Sequence, residues 1–79
     1  MPLFKRGGVN MMVRINNNLW RIVFTYPKNT NLQMSDGMQV LGVCDNNIKT
    51  IFIADNQTDT KTEHILCHEI THAICFEYD

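Results

Sequence analysis

The hydrophobic period of this chain changes once, at the polar run Asp55-Asn56-Gln57-Thr58-Asp59, and that change limits the fold more than any other feature. Before it, apolar residues recur at every second position or in short β-branched and aromatic runs; after it they recur every third or fourth. With 79 residues the chain has room for one small core. Strands and helix must therefore share that core, and the expected class is α+β: a small antiparallel sheet of two β-hairpins followed by a C-terminal helix.

The first strand is read from Val9, Met11, Val13 and Ile15, which alternate with Asn10, Met12, Arg14 and Asn16 before the turn Asn16-Asn17-Asn18. Leu19–Tyr26 is the return strand, stopped by Pro27. Trp20, Phe24 and Tyr26 are evenly spaced on one strand face, where they serve core packing rather than base stacking. Lys28 to Gly37 is polar and aperiodic, a loop. Gln39–Cys44 and Lys49–Ala54 form a second pair around Asp45-Asn46-Asn47, where Asn tolerates the positive φ of a tight turn. Thr60 and Glu63 fit a capping box, which predicts a helix from about Lys61 to the end with Leu66, Ile70, Ala73 and Ile74 turned to the sheet. Residues 1–8 read as a flexible leader and 9–79 as a single domain. Its core is marginal at this length and needs help from a metal, a partner or further chain.

Composition removes several functions. Seven Lys plus Arg against eight Asp plus Glu give a net charge of −1, and no basic field exists to hold nucleic acid. No apolar run approaches the roughly 20 residues that cross a bilayer, and no h-region follows Lys5-Arg6, so a membrane partner and export are not expected. Cys44, Cys67 and Cys75 are an odd number without the spacing of a disulfide scaffold. Reduced, buried thiols in a cytoplasmic protein follow.

The chemistry lies in the last segment. His68-Glu69-Ile70-Thr71-His72 is H-E-x-x-H on a stretch assigned as helix by its cap and period, independently of the motif. His at i and i+4 brings two imidazoles to one face, where both can bind a zinc ion at about 2.0–2.1 Å. Glu69 can reach a zinc-bound water whose pKa falls toward about 7, and it can take that water's proton as a general base. The opposing reading makes His68 and His72 solvent-facing and Glu69 an ordinary surface acid. His64 extends the stripe to i+8, but its ends are about 12 Å apart, too far for one ion, which leaves it a surface or capping role. Cys75 is on the His face, Glu77 is turned away from it, and Asp79 is in phase but about 10 Å further along. Glu77 and Asp79 do not reach the pair, and the Cys75 thiolate stays open as a third ligand against its reading as a packed thiol.

The run Val40–Ile53 followed by Leu66-Cys67-His68-Glu69-Ile70-Thr71-His72-Ala73 resembles the small phage and mobile-element zinc metallopeptidases of the ImmA/IrrE-like group. That resemblance implies a zincin-like core, zinc on His68 and His72, Glu69 as general base, and a Glu on a following helix, which has no position before Asp79 to land on. It also implies a protein or peptide substrate, such as a phage repressor. The expected function is therefore a zinc-dependent endopeptidase holding extended substrate along a sheet edge, with Lys49–Ala54 as the expected edge strand. A truncated, inactive scaffold that binds or inhibits another protein is the alternative. With only two ligands in reach, weak metal binding is expected, with the third donor supplied by chain beyond Asp79 or by a second protomer in a homo-oligomer.

Overall fold

The computed structural model describes residues 10–33 and 40–78. They form β1 (Asn10–Ile15), β2 (Asn18–Thr25), a single 3-10 turn (Thr30–Leu32), β3 (Gly42–Asp45), β4 (Thr50–Ala54) and α1 (Asp59–Tyr78), an α+β arrangement. The expected leader at 1–8, together with Val9, Gln39 and Asp79, lies outside the described residues.

The sheet corrects the wholly antiparallel expectation. Its order is β1-β2-β4-β3, with β1 antiparallel to β2, β3 antiparallel to β4, and β2 parallel to β4. Ile22 faces Ile51 and Phe24 faces Ile53 across the parallel pair. Backbone bonds from Arg21 N–H to Lys49 O and from Asp55 N–H to Thr25 O close its two ends. The physical reason is in β4 itself, where Thr50, Ile51, Phe52, Ile53 and Ala54 are all buried. A strand without polar alternation needs cover on both faces, as parallel-paired strands usually have. Lys49–Ala54 is thus the sheet's interior, and the edge beside the helix is β3.

Two apolar layers result. Ile15, Trp20, Ile22, Phe24, Ile51 and Ile53 form one sheet face, covered by Leu66 and Ala73 of α1. Leu32 from the 3-10 turn closes over Phe52 and Ala54 on the other. The loop expected at Lys28–Gly37 therefore contains a core residue. Each aliphatic side chain so buried contributes about 1.5–3 kcal/mol. Tyr26 falls beyond the end of β2 and is 61% exposed, unlike Trp20 and Phe24, which carry the core packing expected of them.

Local signals moved by a residue or two. Asn16 and Asn17 both take positive φ, as a two-residue turn between antiparallel strands requires. In the second turn the positive φ falls on Lys49 rather than on an Asn. The helix starts at Asp59 because Thr58 caps it: its Oγ1 accepts from Lys61 N–H at 3.2 Å, and its carbonyl accepts from Thr62 N–H. Thr60 is then already inside the first turn, and the Thr60–Glu63 capping box does not form. The buried stripe of α1 is Thr62, Leu66, Glu69 and Ala73. Ile74, expected on the sheet, is 44% exposed, and Ile70 is half-buried.

Candidate metal centre and cleft

α1 crosses β3 and β4, and that crossing sets the site. His68 and His72 are exposed on the side of the helix next to β3, with their Nε2 atoms 3.1 Å apart and their rings nearly perpendicular. Two zinc–nitrogen bonds of about 2.05 Å meeting at about 100° span that same gap, so the pair fits two corners of a tetrahedral ion. Without an ion, the same distance suits one imidazole donating to the other.

Glu69 behaves differently from its neighbours. It is 8% exposed and turned toward Gly42, so it is not the surface acid of the opposing reading. A Cβ on Gly42 would stand 2.6 Å from Ile65 Cγ2 and 3.1 Å from Glu69 Oε2. Only a residue lacking that carbon lets the strand approach so closely. Burial pushes the Glu69 carboxyl above its ordinary range, and the nearby His68 and His72 pull the other way.

Two hollows follow the seam between α1 and β3. One, of about 480 Å³, is lined by Leu41, Lys61, His64, Ile65 and His68; the other, of about 360 Å³, by Gln33, Val43, Cys44, His72 and Phe76. Val40, Gly42 and Glu69 line both. The cleft thus has Glu69 at its middle and a motif histidine on either side.

The thiols and Glu77 have their own surroundings. Cys44, half-buried, has its thiol pushed up to about 11 by burial and by the negative charges of Glu69 and Asp45, with Lys49 opposing. A thiol that keeps its proton at neutral pH is a poor ligand and a poor nucleophile. Cys67 and Cys75 are exposed rather than buried as expected, and all three thiols are free.

Glu77 is held at the far end of α1. Its carboxylate accepts from Asn18 Nδ2 at 2.6 Å and from Trp20 Nε1 at 2.8 Å, and pairs with Lys49 Nζ at 2.9 Å. The Lys49 ammonium also sits 5.2 Å from the Trp20 ring centre. These donors lower the Glu77 pKa, with the bond from Lys49 first. Among the described residues no group of three or more His, Cys, Asp and Glu side chains is arranged to hold a metal.

Sequence reasoning singled out His68, His72 and Glu69 but not the walls of the cleft. Gly42 inside an apolar strand was the available signal for close backbone approach. Lys61, His64 and His68 recur at i, i+3 and i+7, which places them along one face. No family model, curated protein or solved structure matches the chain, so its chemistry is argued from this geometry and the motif.

Proposed function

We propose that the chain is a zinc-dependent metallo-endopeptidase-like protein on a zincin-like core, with His68 and His72 as metal ligands and Glu69 as general base. The observation that carries the reading is the 3.1 Å separation of the two imidazole nitrogens beside a buried carboxylate in an open cleft. Zinc, when bound, supplies a Lewis acid that polarises a peptide carbonyl and acidifies water. Glu69 takes the proton of the attacking water and hands it to the leaving amine; its upward-shifted pKa brings it closer to the neutral range where such a base works best. The edge strand β3 offers backbone groups along the cleft, and an extended protein or peptide substrate can add there as a further strand.

Elemental analysis and zinc titration of wild type against His68→Ala test the metal. Weak binding of about one zinc ion per site in wild type and its loss in the variant are expected; negligible zinc in both rejects the reading. Hydrolysis of a denatured protein, with zinc and with chelator, tests the reaction. A second reading, an inactive scaffold that binds or inhibits another protein, is favoured by the two-donor set. Zinc binding without chelator-sensitive hydrolysis selects it.

A further inference from the structure

The two halves of the cleft differ in charge. The half toward the start of α1 carries Lys61 beside His64 and His68, while the half toward its end is lined by Val43, Cys44, His72 and Phe76 and, among the described residues, has no Lys or Arg. Glu69 is the one acid lining either half among the described residues. We propose that the Lys61–His64 half is a specificity subsite for an acidic side chain of the bound peptide, and that the Phe76 half takes an apolar one. The inference rests on the peptide-cleaving reading of the same cleft.

Spacing gives the positions. At 1.5 Å rise per residue, His64 lies about 9 Å along the axis from the midpoint of the histidine pair, and Phe76 about 9 Å the other way. An extended peptide advances about 3.3 Å per residue, so both subsites meet residues two to three positions from the scissile bond. Lys61 is one turn further, within reach of a glutamate by the length of its own side chain.

The fold also gives a direction. Gly42, at the start of β3, lies against Ile65 and Glu69, whereas Cys44, near its end, shares its hollow with His72 and Phe76. β3 therefore runs the same way as α1. A peptide added antiparallel to β3, the slightly more stable pairing, points its C-terminal side toward Lys61. The acidic residue thus belongs after the scissile bond and the apolar residue before it.

The test uses four labelled peptides with the full chain and zinc. They share a central Leu-Ala bond with Phe before it. Three carry Glu, Gln or Lys three positions after the bond, and the fourth carries Glu before it. Fluorescence anisotropy should rank Glu above Gln above Lys, with about fivefold between the ends at low salt, narrowing as salt rises. The peptide with Glu moved should bind no better than the Gln one. Lys61→Glu should reverse the ranking, and it suits the start of a helix, where an acid is favourable, so the variant folds. Equal binding of all peptides, or a ranking that survives Lys61→Glu, overturns the inference. Hydrolysis in the same samples reports on the peptidase reading separately. Charge ranking without cleavage rejects that reading and keeps the subsite; cleavage without ranking does the reverse.

Discussion

Glu69 and Glu77 are two turns apart on one helix, and both are withdrawn from solvent, yet they are held in opposite ways. Glu77, its side chain 5% exposed, is met by Lys49, Asn18 and Trp20, and its pKa falls. Glu69, 8% exposed, is turned toward Gly42, and burial raises its pKa. On the proposed reading, the difference separates a carboxylate that fastens a structure from one that serves as a base. Donors saturate the first. The second has partial burial in place of such donors, and its oxygens open to the cleft, where a water or a substrate proton can reach them.

The largest expected effect breaks the comparison at its functional end. Glu69→Gln keeps the shape and removes the base, so any peptide hydrolysis should fall by roughly 10²- to 10⁴-fold while zinc stays bound. Steady-state rates and zinc content on one preparation check this. Loss of zinc with activity would make Glu69 a ligand or a structural group.

At the other end the comparison is sharpened through the core. Trp20 is fully buried and donates to Glu77, so it ties the end of α1 to the sheet. Trp20→Ala should cost about 3–5 kcal/mol in urea unfolding. Glu77→Gln should lower the melting temperature by less and leave zinc affinity as in wild type. A Glu77→Gln protein that folds normally but loses zinc would make Glu77 a ligand.

A smaller effect is expected where Glu69 meets the strand. Gly42→Ala introduces the Cβ that collides with Ile65 and crowds the carboxylate, so it should cost about 1–3 kcal/mol and misplace the base. Activity should fall more than zinc affinity, since the atoms that a Cβ on Gly42 meets first belong to Ile65 and Glu69. Unchanged activity would show that the close approach of β3 is irrelevant to the base.

How much of this was legible in the sequence depended on whether each signal was local. H-E-x-x-H on a helix was, because spacing along one helix fixes its own geometry. The parallel pairing of β2 with β4 was not, since it joins strands separated by the 3-10 turn and β3. Its trace was the unbroken apolar run Ile51–Ala54, which suits an interior strand better than an edge. Thr58 and Thr60 offer equivalent caps, and the choice fell to the one followed by Asp59 in the first turn. The burial of Glu69 was readable in outline, because Leu66, Glu69 and Ala73 share the helical stripe that meets the sheet. The partners of Glu77 were beyond reach: they come from β2 and from the end of the turn before β4, which only the finished sheet brings together.

The smallest expected effect is the one that tests the comparison as a whole. A carboxylate with a raised folded pKa binds its proton more tightly in the folded state, so its contribution to stability is full below its ordinary value of 4.5 and is lost as pH rises through the raised value. Wild type should therefore lose ground to Glu69→Gln as pH rises from the acid range to neutrality. Glu77 has the opposite sign. With its folded pKa lowered from 4.5, its contribution is present above that value and is lost as pH falls through the lowered one. The advantage of wild type over Glu77→Gln should accordingly be largest near neutrality and shrink in acid. Urea midpoints of the three proteins between about pH 3 and about pH 8 in metal-free buffer measure both slopes at once. Excluding metal matters, because an ion on His68 and His72 adds its own pH-dependent stabilisation beside Glu69. Difference curves of opposite slope are expected; two flat or parallel curves would make both glutamates ordinary acids and dissolve the distinction between anchor and base.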